Sequence, residues 1–362
     1  MVILHYAGIT NNKASGVSVV VPQIVNYQSI SEDVALYNYG DEHIILAESA
    51  VFINNIMDDY HGFPEPFCNP DFVIFHSPFG IPNMVRITRK LVRDKIPYII
   101  VPHGCFSSAS MNKKRFKKAL AVATVWRFSL RNASAIQYLS QNEFESSIVK
   151  GRGIIVPNGI EIPDYTKPNT PDLQNIVYVG RKDIYQKGLD EFIKACGIIR
   201  QELEDRHIRI SIYGPGSEDQ EKQIKTLIEQ NGLNNTVFSL PAVYGNEKIS
   251  ILQKADAFFL TSKSEGQPVA VLEAMSFSLP VLVTPGTGFY EDVKKYNCGV
   301  AVNLSISSIS EGLLYMIENT EEMKKAGKNA LEYVKNTYAW EMVTNKALTT
   351  YQGIIYEKNS KQ

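Results

Sequence analysis

Short apolar runs rich in β-branched and aromatic residues recur along the whole chain, each followed by a longer stretch whose apolar positions repeat at helical spacing. Strands buried on both faces read as continuous apolar runs, so this pattern predicts parallel sheets covered by helices. In the first half the runs predict strands over 2–6, 34–38, 43–47, 72–76, 97–101, 135–139 and 153–156. The intervening periodicity predicts helices near 17–28, 81–94, 113–131 and 141–149.

Between Pro157 and Pro171 the periodicity lapses into turn formers, Pro157-Asn158-Gly159 and Pro163-Asp164 through Thr170-Pro171, which predicts a linker. The alternation then resumes, with strands predicted over 176–180, 208–213, 236–239, 256–260, 280–283 and 299–302. Three helical stretches close the chain: Leu304–Asn319, Thr320–Tyr338 and Trp340–Tyr356. The expectation is an α/β protein of two domains, 1–163 and 164–339, with the final helix 340–357 returning to the first.

Length agrees, since 362 residues bury two cores more readily than one oversized core. Charge narrows the partners: 37 Lys+Arg against 38 Asp+Glu give a net charge of −1. A global basic field of the kind that holds nucleic-acid backbones is absent, so no nucleic-acid partner is expected. The four cysteines Cys68, Cys105, Cys196 and Cys298 stand far apart with no Cys-x-x-Cys pair, as suits a reducing compartment. Met1-Val2-Ile3-Leu4-His5-Tyr6 reads as a buried strand and not as a signal peptide. No stretch approaches the roughly 20 apolar residues that span a bilayer. A cytoplasmic location follows as the expectation, with any membrane contact peripheral.

In open parallel sheets ligands bind beyond the carboxyl ends of the strands. In the second half those ends carry Gly180-Arg181 and Lys187-Gly188, then Gly214-Pro215-Gly216, then Ser264-Glu265-Gly266-Gln267-Pro268 leading to Glu273-Ala274. Arg181 and Lys187 suit a diphosphate, Arg through its planar fork and Lys as a mobile point charge. Taken singly, each is more simply a solvated charge at a strand-to-helix turn. Pro268 fits the first position of a helix through Val269–Leu272, whose free N–H groups suit phosphate. Eight helical steps from Glu265 to Glu273 would span about 12 Å. That length matches a sugar, its diphosphate and a ribose laid end to end. A helix cap and a surface carboxylate explain the same two residues more simply.

In combination, Gly180-Arg181…Lys187-Gly188 and Glu265-Gly266-Gln267-Pro268…Glu273-Ala274 resemble the donor-binding signature of glycosyltransferase family 4. The resemblance extends to Tyr213-Gly214-Pro215-Gly216, to Pro157-Asn158-Gly159-Ile160 and to Trp340. It implies the GT-B fold, two Rossmann-like doubly wound domains facing a central cleft. In the first half, Gly16 resembles the family's N-terminal glycine loop, with Ser15-Gly16 where a pair of glycines is usual. His103-Gly104 resembles the motif whose histidine sits by the reacting sugar carbon. His103, Arg181, Lys187 and Glu265 are thereby implied as catalytic. Gly16, Gly214, Gly216, Gly266, Gln267, Pro268 and Glu273 are implied to bind the donor.

The stretch from Pro102-His103-Gly104 to Ser140-Gln141-Asn142-Glu143 resembles a subgroup common in bacterial polysaccharide assembly. Within it, Lys113-Lys114-Arg115-Phe116-Lys117-Lys118, followed by Trp126, Arg127 and Phe128, predicts a basic helix over 113–128 suited to an anionic leaflet. A solvated helix with one buried face is an equal alternative. The implied activity is a retaining transfer of a hexose or N-acetylhexosamine from a nucleoside-diphosphate sugar, UDP first and GDP next, to a saccharide or lipid-linked acceptor in polysaccharide or glycoconjugate biosynthesis. No cofactor is implied, and no Asp-x-Asp occurs, so metal independence is expected. Two rival readings are a sugar-nucleotide epimerase, which product analysis without acceptor would separate, and a non-catalytic GT-B subunit supporting a partner transferase. Donor base, sugar, acceptor, linkage and oligomeric state are not legible.

Overall fold

The computed structural model describes residues 1–10, 16–40, 44–53, 59–78, 81, 83–106, 126–149, 151–168 and 172–360. Its strands are β1 (Val2–Ala7), β2 (Asp33–Asn38), β3 (Ala50–Ile53), β4 (Phe72–His76), β5 (Tyr98–Val101), β6 (Ala135–Tyr138), β7 (Gly153–Ile155), β8 (Asn175–Val179), β9 (Arg209–Tyr213), β10 (Val237–Leu240), β11 (Ala257–Leu260), β12 (Val281–Val283) and β13 (Gly299–Ala301). The helices that matter below are α1 (Gly16–Gln28), α2 (Met84–Arg93), α3 (Arg127–Asn132), α4 (Gln141–Ser146), α5 (Leu189–Ile198), α6 (Glu218–Gln230), α7 (Gly245–Lys254), α8 (Val269–Ser276), α9 (Ile306–Glu318), α10 (Thr320–Thr337) and α11 (Trp340–Asn359). The chain divides into two compact units, one of Met1–Gly159 with Trp340–Gln362, the other of Ile160–Ala339.

Among the described residues the first unit holds a sheet of order β3-β2-β1-β4-β5-β6-β7 and the second a sheet of order β10-β9-β8-β11-β12-β13. Every pairing in both is parallel. The fold is GT-B. In each sheet the chain first moves outward to one edge, then returns and moves to the other. The order therefore switches between β1 and β4 in one unit and between β8 and β11 in the other. At such a point the loops from the two adjacent strands diverge and leave a crevice at the carboxyl edge.

The first unit's strands alternate between two buried layers. Ile3, Ala7, Val34, Leu36, Ile74, Ile99 and Val101 pack with Val21 and Val25 of α1 and with Val343, Ala347 and Tyr351 of α11. Leu4, Tyr6, Val73, Phe75, Tyr98 and Ile100 face the opposite layer with Ile87 and Leu91 of α2. Phe72 and Tyr351 stack at 4.9 Å and Tyr27 and Trp340 at 5.4 Å, which fastens α11 to this unit. The second unit has a core built around Ile176, Tyr178, Ile210, Phe258, Phe259, Val281 and Leu282. At about 25 cal/mol per Å² of apolar surface removed from water, these layers supply the main drive for each unit.

One predicted strand is displaced. The run expected over 43–47 is irregular where described, and the edge strand is instead Ala50–Ile53, in register with Val34–Tyr37. Both runs are apolar enough for an edge. The amide of Ala47 donates to Asn26 Oδ1 of α1 at 2.8 Å and Ser29 Oγ pairs with Ser49 Oγ at 2.8 Å, so the earlier run is held on the helix layer. Strand periodicity carries no record of those bonds. Of the helix expected over 113–131, residues 113–125 lie outside the described residues, as does Ser15; α3 covers 127–132.

Candidate functional site

At the switch point of the second unit, the loops after β8 and β11 are hydrogen-bonded to each other through backbone carbonyls of the β8 loop. Thr261 Oγ1 donates to the carbonyls of Lys187 and Gly188 at 3.1 Å each, and Lys263 N donates to Gln186 O at 2.8 Å. Gly188 has φ +61°, and a Cβ there would stand 2.2 Å from the Thr261 carbonyl oxygen. Only glycine allows both that backbone conformation and that approach. Gly214 performs the same service one strand away, with φ +152° and a would-be Cβ 1.7 Å from the Gly180 carbonyl oxygen.

This joint places two side chains from opposite loops against each other. Lys187 Nζ donates to Glu265 Oε1 at 2.5 Å, and Ser262 Oγ donates to the same oxygen at 2.5 Å. Both partners of the ion pair are largely buried, with side-chain exposures of 11% and 11%. An ammonium has three donors and a carboxylate about four acceptor sites, so the pair keeps polar capacity on each side for a ligand. The Glu265 loop is held from beneath, its own N–H donating to Gly286 O at 2.8 Å.

Arg181 lies nearer the start of the loop that carries Lys187 and is exposed, and among the described residues no carboxylate pairs with its guanidinium. Its carbonyl accepts from the Tyr178 hydroxyl at 2.6 Å, which fixes the backbone that carries it. Burial, with Glu265 nearby, pushes that phenol well above its ordinary range.

Gly266 has open space around it, and Gly266 and Gln267 are half-buried. Pro268 is not the first residue of the helix but its cap, with ψ 92°, and no side chain caps the first amides of α8. Glu265 therefore stands three residues ahead of the cap on a loop held by Gly286, and the eight-step helical ruler from Glu265 to Glu273 does not apply. Only the steps from Val269 to Glu273 are helical. Glu273 is ion-paired through Oε1 with Lys248 of α7. Gly216 ends the β9 loop just before the capping box of Ser217 and Gln220 that opens α6.

Two cations were not singled out by sequence. Lys182 is 1% exposed and donates to Glu221 Oε1 and the Leu240 carbonyl, each at 2.7 Å. It ties the Arg181 loop to α6 and to the end of β10. A lysine beside Arg181 reads in sequence as a second solvated charge, and nothing local reveals Glu221 as its partner. Lys248 sits on an otherwise ordinary surface helix, and its pairing with Glu273 is visible only in three dimensions.

Gly16 and His103 belong to the first unit. Gly16 opens α1, and a Cβ there would meet nothing within 4 Å. His103 follows β5 at φ +49°, half-buried, and Gly104 beside it has φ +81°. The amides of Gly104 and Leu139 both donate to the buried Glu143 carboxylate, at 2.5 and 2.7 Å. Burial raises the Glu143 pKa against the opposing pull of those two bonds. His103 Nε2 pairs with His76 Nδ1 at 2.9 Å, and burial lowers the His103 pKa to about 4.

Residues 164–333 match the family model described as glycosyl transferases group 1. An uncharacterised glycosyltransferase of Methanocaldococcus jannaschii is 26% identical over 274 residues, covering 74% of this chain and 72% of its own length. A D-inositol 3-phosphate glycosyltransferase of Paenarthrobacter aurescens is 26% identical over 51% of this chain, which spans only 45% of that relative. The crystal structure of Anabaena HepE in complex with UDP and glucose aligns with 98% of this chain and 100% of its own, at a TM-score of 0.72 and 15% identity.

Proposed function

We propose, for a chain of the GT-B glycosyltransferase superfamily, that it is a retaining, metal-independent transferase of family 4. It moves a hexose or N-acetylhexosamine from a nucleoside-diphosphate sugar to a saccharide or lipid-linked acceptor on the cytoplasmic side of a membrane. The observation that carries this reading is the Lys187–Glu265–Ser262 cluster at the β8/β11 switch point, with the exposed Arg181 on the same loop as Lys187. That is a preorganised arrangement in which cations await a diphosphate and a carboxylate awaits hydroxyls. UDP is the first choice of nucleotide, supported by its presence in the Anabaena structure, and GDP is the second.

In this mechanism Arg181 and Lys187 take up the charge that develops on the diphosphate as its bond to the anomeric carbon breaks and the electron pair passes to the phosphate oxygen. The acceptor hydroxyl bonds to the same face of that carbon and loses its proton to the departing phosphate. Glu265, held by Lys187 and Ser262 through Oε1, offers its other oxygen to sugar hydroxyls and orients the ring. The open amides of α8 favour the phosphate through the helix dipole. Glu273 offers the oxygen not engaged by Lys248 to ribose hydroxyls. Gly266 leaves room for the ligand beside the backbone.

A thermal-shift panel of UDP, GDP, ADP, CMP and dTDP tests the donor site. A ligand at 100 times its Kd adds about 2.7 kcal/mol to the stability of the unit that binds it. The expected result is a raised midpoint with one diphosphate and no rise in Lys187→Ala. No response to any of the five overturns the assignment and favours a non-catalytic subunit. The anomeric configuration of the product, read by NMR, decides retention.

A further inference from the structure

The β1/β4 switch point of the first unit is built differently from the β8/β11 switch point of the second. Gln28 at the end of α1, His5 on β1, His76 at the end of β4 and His103 beyond β5 are joined in a row across the β1/β4 switch point. Gln28 Oε1 meets His5 Nε2 at 2.9 Å, His5 Nδ1 meets His76 Nε2 at 2.9 Å, and His76 Nδ1 meets His103 Nε2 at 2.9 Å. His5 and His76 are 0% and 1% exposed, so only the His103 end reaches the surface.

The row has a direction, and its far end sets it. Gln137 Nε2 donates to the Val156 carbonyl at 3.4 Å, which leaves Gln137 Oε1 to accept the Tyr351 hydroxyl proton at 2.7 Å. The Tyr351 hydroxyl, its proton so committed, has lone pairs for the Gln28 amide that lies against it. Gln28 therefore turns its Nε2 toward Tyr351 and its Oε1 toward His5. An amide oxygen only accepts, so His5 carries its proton on Nε2 and accepts on Nδ1. The same reasoning puts the proton of His76 on Nε2, and then that of His103 on Nε2. Burial keeps all three rings neutral, as this alternation needs: it lowers His5 and His103 to about 4 and takes His76 well below its ordinary value.

We propose that this one-way hydrogen-bond chain fixes the tautomer of His103, so that Nδ1 is a hydrogen-bond acceptor for a substrate hydroxyl. His5, His76, Gln28 and Tyr351 are then positioning residues. The chemical class that fits such an acceptor is a polyol or saccharide O–H; a carboxylate or phosphate oxygen would meet a lone pair. The assignment of a saccharide rests on the transferase reading, whereas the tautomer does not.

The test is a long-range proton–nitrogen correlation spectrum of the full chain with 15N-labelled histidine. The expected result at neutral pH is a protonated Nε2 and a bare Nδ1 in His5, His76 and His103. A protonated Nδ1 on His103, or an imidazolium there, overturns the proposal whatever the protein's activity. Tyr351→Phe removes the hydroxyl that orients Gln28, and the amide is then free to turn over and reverse every link. His103 should become a mixture of tautomers, and kcat should fall about tenfold, the scale of one neutral hydrogen bond. The midpoint shift caused by a nucleoside diphosphate should be unaltered. Phe72→Leu, which disturbs the stacking on Tyr351 but breaks no link, should leave the His103 tautomer unchanged. A tautomer that moves in Phe72→Leu as much as in Tyr351→Phe would show packing rather than polarity at work. Absence of transferase activity with an intact Nε2-protonated row would instead count against the transferase reading.

Discussion

The two units share a parallel sheet with a switch point beside its first strand, yet they furnish that edge with opposite kinds of polarity. In the second unit the edge carries charge: the Lys187–Glu265 pair, the exposed Arg181 and the Lys248–Glu273 pair. In the first unit a row of neutral side chains linked by hydrogen bonds, Gln28, His5, His76 and His103, runs up to that edge. The fold supplies the crevice, and the side chains decide what enters it. Charge suits an anionic leaving group, whereas a fixed pattern of neutral donors and acceptors suits hydroxyls, which differ from one another only in direction. A neutral row also avoids the cost of holding charge in a buried place, which is several kcal/mol per ion.

The sharpest way to break this contrast is to remove charge from the second edge. Lys187→Ala and Arg181→Ala should each lower turnover roughly 10²–10³-fold, the scale of losing one preorganised oxyanion donor. Release of nucleoside diphosphate from the sugar of whichever nucleotide stabilises the protein is the measurement. Near-wild-type turnover in both variants would remove the charged edge from the chemistry.

Acid should separate the units next. His5 in the folded state titrates at about 4 against an ordinary 6.5, because burial penalises its charged form. Between those values the unfolded chain binds a proton that the folded one refuses. The stability His5 contributes is thus complete above pH 6.5 and is lost as pH falls toward 4, roughly 3 kcal/mol for this ring alone. His103 adds in the same direction, and Glu143, whose pKa is raised, works against them. Hydrogen exchange at pH 7 and pH 5 should show β1, β4 and β5 losing more protection than β8 and β11. Equal loss in both sheets would mean that the histidine row is not what acid attacks.

How far each edge was legible in sequence follows from how its parts are spaced. Gly180-Arg181 with Lys187-Gly188, on one loop, and Glu265 through Glu273, on a loop and the start of the helix after it, are compact motifs, so a local pattern exposes them. The histidine row draws on residues 5, 28, 76, 103, 137 and 351, all of which except His103 read alone as part of a strand or helix. Only His103 carried a recognisable neighbour, Gly104. Periodicity located both sheets because continuous apolar runs are what doubly covered parallel strands require. It misplaced β3 because Ala47 is held by Asn26, a contact between elements that no run of residues encodes.

Lys182 sharpens the comparison from another side, since it is a buried cation in the charged unit that serves structure. Glu221→Ala leaves it 1% exposed with the Leu240 carbonyl as its remaining partner. Removing one member of a fully buried pair costs about 3–5 kcal/mol, but Glu221 itself is 40% exposed, so a loss of about 2–3 kcal/mol is expected. Denaturant unfolding measures it. A loss under about 0.5 kcal/mol would mean that water reaches Lys182 and that its burial is not maintained.

The smallest expected effect lies at Gly266, and its smallness is what makes it informative. A Cβ there would meet nothing within 4 Å, so Gly266→Ala creates no clash, and stability should change by no more than about 0.5 kcal/mol. Gly214→Ala provides the contrast: its Cβ would stand 1.7 Å from the Gly180 carbonyl oxygen, and the loop that carries Arg181 would have to move. If the space beside Gly266 belongs to the donor, the added methyl is felt only when the ligand arrives. Nucleotide-sugar affinity should then fall several-fold in a titration while the unliganded melting midpoint stays put. Unchanged affinity would place the donor elsewhere along the edge, and a lowered midpoint would mean that the loop closes over Gly266 in the free protein.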